Sequence, residues 1–320
     1  MMKLTVSAFV LFVLSWQSVF SQTIILPDPI FTQTMTSPMY FNPAYAGFQE
    51  NLRASFQIRA QLLAGTTNLT TDASVDIGLP KINSGIGLML MSDQQDNASL
   101  ITNTISAYYA YELKMSSGSY LRLGLNASLF QKLYIYNNST FDTSASSATH
   151  FYPQNMSTYG IPNFGAGGLY YNDRYYLGLA VYNLFTPNAS FNNDPNGDLK
   201  RQFVAQAGEF VNIGNLIINP NIQVINQGSV SQILPGCAIT AGSFSFGMSL
   251  RQSIPVFDAL NILLGFGKGK VRICYSYDIT LSATNPGAAS GTHELSAIVQ
   301  LSGPHDVSNK KMVGYMKEAL

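Results

Sequence analysis

His293 and Glu294, adjacent near the end of the chain, are the residues with the best prospect of catalysis. In hydrolases, a histidine oriented by a carboxylate activates a serine nucleophile, and serines are scattered along this sequence. Successive side chains of a β-strand point to opposite faces, so these two residues could share one site only at a bulge. The pair gives weak support for a hydrolase, and we predict a protein that is not an enzyme.

The remaining histidines and the cysteines do not form a ligand set. His150, His293 and His305 lack the spacing of metal ligands. Cys237 and Cys274 lie in predicted strands that are three strands apart. A disulfide needs Cα atoms within about 7 Å, which that separation does not allow. We therefore predict neither a metal site nor a disulfide.

Glycine spacing and charge exclude two further classes of ligand. Gly265, Gly267 and Gly269 are spaced as in a phosphate-binding loop, but they fall at a predicted turn between strands, and no helix follows. The 17 Lys and Arg balance the 17 Asp and Glu, and the basic residues are scattered. Nucleic-acid-binding surfaces need a basic patch or stripe. We predict no nucleotide or other cofactor and no nucleic-acid partner.

Four charged residues would meet if two neighbouring segments near residues 51–78 form paired strands. Arg53 and Arg59 share one parity of the first segment, and Asp72 and Asp76 share one parity of the second. In a membrane barrel such faces point into the lumen, where opposite charges pair. Two interpretations stay open: a structural network of ion pairs, which we favour, and a charged constriction in a conducting pore.

The elements that would position these residues are stretches of alternating apolar and polar side chains. Ile101, Ile105 and Tyr109 share one parity, while Thr102 and Thr104 share the other, and this period of two predicts a strand. Fourteen strands are predicted, at residues 51–61, 67–78, 83–92, 99–113, 119–131, 163–172, 174–183, 201–212, 215–226, 231–241, 243–252, 258–267, 270–280 and 292–302.

Only 11% of residues are charged and 12% are aromatic, which is a low charge content for a soluble surface. A β-sandwich usually has fewer strands and polar outer faces. We therefore predict an all-β fold, a transmembrane antiparallel β-barrel of about 14 strands. Several connections are short, whereas those at residues 132–162 and 183–200 are long. Since outer-membrane barrels have short periplasmic turns, the chain should enter the barrel from the periplasm and end there.

Three segments lie outside the predicted barrel at residues 51–302. Residues 1–21 carry Lys3, an apolar run and small residues before position 22, which predicts a cleaved signal peptide. Residues 22–50 are rich in proline and aromatic residues and do not alternate, so we predict a non-strand segment at the periplasmic rim or inside the barrel as a plug. Residues 303–320 are predicted to form a periplasmic tail.

The two ends of this chain resemble the PorP/SprF family of type IX secretion system outer-membrane proteins. The N-terminal motif comprises Asp28, Pro29, Phe31 and Gln33, then Tyr40, Phe41, Asn42, Pro43 and Gly47. The C-terminal motif comprises Tyr277 and Asp278, then Gly291, His293 and Glu294. With the alternating stretches between them, the resemblance covers residues 22 to 302.

The resemblance implies a non-enzymatic outer-membrane component of the secretion and gliding apparatus that supports export or surface anchoring of large proteins such as adhesins. Its implied partners are the exported protein, periplasmic and outer-membrane secretion components, and membrane lipid. The motif residues are then candidates for binding a partner. The aromatic-rich loop at residues 132–162 has the composition of an adaptable binding surface, or equally of a cover over the lumen. The alternative function is a passive porin or small-solute transporter.

Overall fold

The computed structural model describes residues 28–63, 65–116, 118–135, 156–158, 160–191, 194–195, 197–253, 256–281 and 289–301. Its main element is one antiparallel sheet with fourteen long strands: β1 (Leu52–Leu63), β2 (Thr66–Leu79), β3 (Ser84–Gln95), β4 (Leu100–Ser116), β5 (Ser119–Tyr134), β7 (Ile161–Asn172), β8 (Tyr175–Tyr182), β9 (Gln202–Glu209), β11 (Leu216–Gln227), β12 (Val230–Ala241), β13 (Phe244–Ser253), β14 (Val256–Lys268), β15 (Val271–Thr280) and β16 (Ala289–Leu301). Two short strands, β6 (Met156–Ser157) and β10 (Val211–Ile213), pair with β5 and β11.

The sheet closes into a barrel because the two ends of the chain pair with each other. β16 lies beside β1, with Leu301 opposite Leu52. β9 pairs directly with β11, with Gln202 opposite Gln227, and the short β10 continues the same ladder. In the described part of the chain, every long strand therefore has a partner on both sides. The prediction of an all-β antiparallel barrel of about 14 strands is confirmed.

Two details differ from the sequence prediction. The strand predicted at residues 201–212 is divided at Phe210 into β9 and β10; the Phe210 side chain is buried, and its N–H bonds to the Arg174 carbonyl (2.7 Å). Gly265 and Gly267, predicted at a turn, lie inside β14, and Gly269 alone of the three lies in the turn. Both lie in close packing, because a Cβ would come 3.1 Å from Cys274 Sγ at Gly265 and 2.9 Å from the Arg272 guanidinium at Gly267.

The barrel has an apolar outer face and a polar inner face. Along β1, Arg53, Ser55 and Gln57 are buried, while Phe56 between them is exposed. The same alternation continues around the sheet, and the exposed large side chains include Leu88, Ile105, Leu125, Leu177, Phe203, Ile222, Phe246, Leu264, Ile273 and Leu295. An outward apolar band with a polar interior fits the hydrocarbon of a bilayer.

The two ends of the barrel differ in their connections. One end, which we call the short-turn end, joins strands through brief connections such as residues 242–243, where Gly242 has a φ of +57°. The opposite end, which we call the long-loop end, carries the connections at residues 135–160 and 183–201. β1 begins and β16 ends at the short-turn end, as the even number of long strands requires.

Residues 28–50, which we call the plug segment, lie inside the barrel. Asp28 bonds to Gln227 at the long-loop end, and Gln49 accepts a hydrogen bond from Gln300 (3.1 Å) at the short-turn end. Between them the chain forms a single α-helical turn (Pro38–Phe41) and a 3-10 turn (Pro43–Tyr45). The segment thus runs through the lumen from one end to the other before β1 begins.

Three predicted features lie mostly or wholly outside the described residues: the leader predicted at residues 1–21, the tail predicted at residues 303–320 and the loop predicted at residues 132–162. No helix among the described residues is both long enough and apolar enough to cross a membrane.

We predict that a charge on the outer face destabilises the barrel according to its depth. Leu125, near the middle of β5, is 61% exposed, and Ile213, at the short-turn end, is 59% exposed. Leu125→Arg should lower the free energy of unfolding by about 2–4 kcal/mol, and Ile213→Arg by about 0–1 kcal/mol. Denaturant titrations in phospholipid vesicles would measure both, and equal losses would contradict a bilayer around the middle of β5.

Candidate functional site

Glu294 lies inside the barrel in β16 and binds the backbone of the plug segment. Its carboxylate accepts hydrogen bonds from the Thr32 N–H (2.9 and 3.1 Å) and from the Gln33 N–H (3.1 Å). All three residues are at least nine-tenths buried. Hydrogen bonds to a buried carboxylate contribute about 1.5–3 kcal/mol each. Glu294 therefore fixes the plug segment to the strand that closes the barrel.

The charge of Glu294 is balanced by an arginine on the neighbouring strand. Arg59 lies directly opposite Glu294 in the β1–β16 ladder, with 3.2 Å between its Nε and the carboxylate. Gln57 Nε2 donates a further hydrogen bond to the same carboxylate (3.3 Å). Closure of the barrel creates this pair, because β1 and β16 are the first and last strands.

A second ion pair lies beside the first on β13 and β15. Arg251 donates to the Asp278 carboxylate (2.8 Å), and Asn261 Nδ2 bonds to its other oxygen (2.6 Å). Asn261 also donates to the Thr32 hydroxyl (3.2 Å). Two carboxylates and two guanidinium groups thus surround Thr32 without net charge, as buried charges require.

The Gln33 side chain makes a complete set of hydrogen bonds with the same wall. Its Nε2 donates to Ser276 Oγ (3.0 Å) and to the Glu294 carbonyl (3.2 Å), and its Oε1 accepts from Ser296 Oγ (2.6 Å). The Gln33 amide is therefore held by one hydrogen-bond donor and two acceptors on β15 and β16. We call Thr32, Gln33, Arg59, Asp278 and Glu294 the clamp.

Closer to the short-turn end, Asp76 joins the plug segment to β1. Its carboxylate accepts from the Gly47 N–H (3.0 Å) and pairs with Arg53 Nε (2.8 Å). Arg53 also donates to the Thr36 carbonyl (3.4 Å). The nearby Asp72 accepts from the Ser37 hydroxyl (2.9 Å). Asp76 thus contacts both β1 and the plug segment, and Asp72 contacts the plug segment.

Arg122 on β5 binds the end of the plug segment through its carbonyls. Its Nε donates to Ala44 O (2.9 Å), and its NH2 donates to Ala46 O (2.6 Å). The third nitrogen pairs with Glu112 (3.2 Å), which lies opposite on β4. Glu112 also accepts from the Tyr171 hydroxyl (2.5 Å). Arg122 thus supplies hydrogen-bond donors to two carbonyls at the end of the 3-10 turn.

Asn42 connects the plug segment to β7 and β8. Its Nδ2 donates to the carbonyls of Gly168 (3.0 Å) and Leu179 (3.3 Å), and its Oδ1 accepts from the Ala44 N–H (2.9 Å), which caps the 3-10 turn. The Asn42-Pro43 sequence thus both starts that turn, with proline at its first position, and attaches it to the wall.

Aromatic residues fill the space between these polar contacts. Phe31 and Tyr40 meet edge to face at 5.3 Å, and Tyr40 meets Phe41 at 5.1 Å. Phe31 and Phe41 pack with Val204 and Ile225 of the wall. The Tyr40 hydroxyl donates to the Pro29 carbonyl, which folds the start of the plug segment onto its helical turn.

Glycines of the wall allow the plug segment to approach it at backbone distance. A Cβ at Gly124 would lie 2.2 Å from Ala44 N, and one at Gly85 would lie 2.0 Å from Ala46 O. Gly78 likewise lies against the backbone of Glu50, whereas Gly87 and Gly167 make room for the side chains of Met39 and Asn42. Sequence reasoning missed these residues, although glycine at inward-facing positions of several neighbouring strands was a usable signal.

Asp28, His293 and Gly291, which the sequence motifs also include, lie apart from the clamp. Asp28 bonds to Gln227 at the long-loop end (2.6 Å), and burial raises the pKa of its carboxyl above the usual value, while that hydrogen bond opposes the rise. His293 faces outward, where Nδ1 lies 2.7 Å from the Tyr275 hydroxyl and its ring packs against Tyr277 at 4.8 Å. Gly291 has a φ of +88°, and a Cβ there would strike the Tyr277 hydroxyl.

Arg59 faces the lumen as predicted, but its partner there is Glu294, because closure through β16 supplies a carboxylate that the first two strands alone did not suggest. Glu294 lies in the barrel interior, five residues after β16 begins at Ala289. His293 and Glu294 lie on opposite faces of β16, so together they do not form an acid-base pair.

Within the described residues, no group of three or more His, Cys, Asp and Glu side chains could hold a metal ion. Cys237 and Cys274 are both free thiols.

The plug segment leaves a cavity of about 850 Å³ near the short-turn end, lined by residues that include Thr240, Lys270 and Gln300. A smaller cavity of about 170 Å³ lies between Tyr40 and the wall of β3 to β5. The observed contacts can hold a peptide segment in place.

The closed sheet, its apolar outer band and its plugged polar lumen define an outer-membrane β-barrel. The sequence model of the type IX secretion system membrane protein PorP/SprF matches residues 25–299. The chain belongs to this family, as its terminal motifs predicted.

Solved structures are similar in fold alone. The Ralstonia pickettii toluene transporter TbuX has a TM-score of 0.51 at 11% identity, over 83% of this chain and 94% of that one. The CymD monoaromatic hydrocarbon channel has a TM-score of 0.50 at 10% identity, over 84% and 94% of the two chains. The Acinetobacter baumannii outer membrane protein Omp33 has a TM-score of 0.46 at 9% identity, over 79% and 100%. No curated protein matches the chain.

We predict that Glu294→Gln loosens the plug segment. The amide keeps the shape of the carboxylate but removes the charge that Arg59 and two backbone N–H groups require, and breaking a buried pair costs about 3–5 kcal/mol. Glu209→Gln is the matched control, because its pair with Arg174 is largely exposed and should contribute about 0–1 kcal/mol. Limited proteolysis of residues 28–50 and denaturant unfolding would measure the difference. Equal behaviour of the two variants would show that the clamp does not hold the plug segment.

We also predict that Gly124→Ala displaces the 3-10 turn of the plug segment. The new Cβ would lie 2.2 and 2.3 Å from backbone atoms of Ala44 and Pro43, which cannot rotate away. Gly168→Ala is the control, because its Cβ would meet nothing closer than 3.8 Å. Thermal unfolding in detergent should show a lower midpoint for Gly124→Ala alone. An unchanged midpoint in both variants would mean that the contact with β5 is dispensable.

Proposed function

We propose that this protein is a non-enzymatic platform of the type IX secretion system that supports export or surface anchoring of particular large proteins such as adhesins. Membership of the PorP/SprF family carries the proposal. The plug segment supports it, because a lumen through which the chain's own residues run serves a fixed platform better than a diffusion channel.

In this proposal the outer face and the two ends of the barrel have different roles. The apolar outer face anchors it in lipid. The long-loop end is available to an exported protein, while the short-turn end faces the periplasm and its secretion components. The clamp gives the platform rigidity, because it ties the N-terminal segment to both the first and the last strand.

A passive porin or small-solute transporter is the alternative function. The cavity of about 850 Å³ near the short-turn end favours it, since it shows that the plug segment does not fill the whole lumen. The proteins with similar folds include a toluene transporter and a monoaromatic hydrocarbon channel, although that likeness concerns the fold.

We predict that the tagged full-length protein, extracted gently from its own outer membrane, retains one large surface protein or secretion-system components. Mass spectrometry of the bound material would identify them. Glu209→Gln, which alters an exposed pair at the short-turn end, provides a variant with an intact clamp for comparison. A barrel that is recovered alone would count against the platform.

The same preparation separates the two functions in planar bilayers. We expect the full-length protein to show no stable ion conductance and a variant lacking residues 28–36 to conduct, because that deletion removes the part of the plug segment held by the clamp. Stable conductance by the full-length protein would favour the porin. The deletion variant shows that the assay detects an open barrel.

A further inference from the structure

The cavity of about 850 Å³ near the short-turn end opens to solvent at that end. Asn215 and Lys270, which belong to its lining, lie in exposed turns. Ile217, Thr240 and Ile298, also in the lining, are buried on the inner face of β11, β12 and β16. The cavity therefore reaches from the rim into the lumen. Pockets of about 300–1,000 Å³ accommodate drug-sized ligands, so this one has room for a short peptide segment.

The polar lining of this cavity carries positive charge. Among the described residues that line it, two are cationic and none is acidic. Its polar side chains include Asn212, Asn215, Ser243, Lys270, Arg272 and Gln300. Cations surrounded by amide and hydroxyl groups are suited to a ligand that carries carboxylates, because charge-assisted hydrogen bonds are the strong ones.

Arg272 is held in a fixed position just inside the rim, where it is the second residue of β15. Its NH1 donates to Ser245 Oγ (2.6 Å), which also lies 2.9 Å from Thr240 Oγ1. Its guanidinium lies against Gly267, where a Cβ would come 2.9 Å from NH2. Lys270 precedes Arg272 by two positions and adds a second cation at the rim. A planar guanidinium held in this way is preorganised for a carboxylate.

The two ends of the barrel carry opposite charge, although the formal net charge of the chain is zero. Apart from the interior ion pairs, the described charged residues near the short-turn end are Lys81, Lys114, Arg174, Lys268, Lys270 and Arg272 against Glu50, Asp173 and Glu209. Those near the long-loop end are Asp28, Asp93, Asp96, Asp194, Asp198 and Asp258 against Lys132, Lys200 and Arg201. Such a separation of charge attracts an acidic partner to the short-turn end.

We propose that this cavity binds an acidic peptide segment of a periplasmic component of the secretion system. The acidic chemistry follows from the cavity and its rim, whereas the source of the segment rests on the proposed function. Short turns of outer-membrane barrels face the periplasm. The barrel wall separates the cavity from lipid, so the ligand arrives from solution.

Glycines at the rim favour a peptide over a small anion. Gly214, Gly242 and Gly269 belong to the lining, and a Cβ built at any of them would meet nothing within 4 Å. Glycine in open space allows another backbone to approach closely and to hydrogen-bond with the turn. Acidic side chains of the bound segment then contact Arg272 and Lys270.

Fluorescence anisotropy with the purified full-length protein in a non-ionic detergent tests this site. The probe is a peptide of alternating glycine and glutamate that carries an uncharged dye, and the comparison probe replaces glutamate by lysine. We expect the glutamate peptide alone to bind, with an affinity that falls as salt is added.

Charge-removing variants locate the binding. Arg272→Gln should weaken the glutamate peptide at least about tenfold, because it removes hydrogen bonds from a fixed charged group. Lys270→Gln should weaken it about two- to fivefold, as expected for an exposed cation. Lys268→Gln is the matched control, because Lys268 shares the outward parity of exposed Phe266 and does not belong to the lining. Its affinity should be unchanged.

Asn215→Asp tests the site without touching the buried contacts of Arg272, since Asn215 lies in an exposed turn. The new carboxylate should weaken the glutamate peptide and favour the lysine peptide. Failure of the wild-type protein to bind the glutamate peptide, or equal affinities of Lys268→Gln and Lys270→Gln, would overturn the proposal. Displacement of the peptide by an equal concentration of inorganic phosphate would overturn the assignment to a peptide. Because these titrations need no secretion partner, their failure is distinguishable from a pull-down that recovers the barrel alone.

Discussion

The Glu294 carboxylate is the contact on which the arrangement of the lumen depends. A carboxylate removed from water is tolerated only when its charge is balanced and its lone pairs accept hydrogen bonds. Arg59 supplies the charge from β1, and Thr32 and Gln33 supply N–H donors from the plug segment. Neither source suffices alone, since one guanidinium leaves lone pairs unfilled and two amides leave the charge uncompensated. The wall therefore balances the charge of Glu294 by itself, but the plug segment is needed to complete the hydrogen bonds of its carboxylate.

The need to pair buried polar groups also explains why other polar residues face the lumen that contains the plug segment. Arg122 and Asp76 are directed at backbone atoms of the plug segment, to carbonyls in the first case and to an N–H in the second. Backbone groups are present at every position, so these contacts fix the path of the plug segment and make little demand on its side chains. The glycines opposite provide room for that path, because Gly85 and Gly124 bring two backbones together where a methyl group would not fit.

The sequence predicts the barrel well because strand alternation is a local signal that each stretch of about ten residues carries by itself. It also places the inward arginines, since Arg53 and Arg59 share a parity with buried polar residues. It does not predict the partner of Arg59, because that pair exists only where residues more than two hundred positions apart become neighbours on closure. Gly124 and its equivalents were missed for a related reason. Within one strand such a glycine indicates only weak strand propensity, and its role is visible only with the plug segment in place.

The position of the clamp in the chain couples closure of the barrel to seating of the plug segment. The plug segment is joined directly to β1, whereas Glu294, Ser276 and Ser296 belong to the last two strands. Before β16 pairs with β1, Thr32 and Gln33 have no carboxylate, and Arg59 has no counter-charge from Glu294. Once the two strands pair, Arg59 and Glu294 stand opposite each other, and the donors of the plug segment complete the carboxylate. The hydrogen bonds of the clamp thus add to the β1–β16 ladder only when the plug segment is inside, and an empty closed barrel would leave the Glu294 carboxylate without its backbone donors. The closed barrel that contains its own N-terminal segment is thereby favoured over one with an empty lumen.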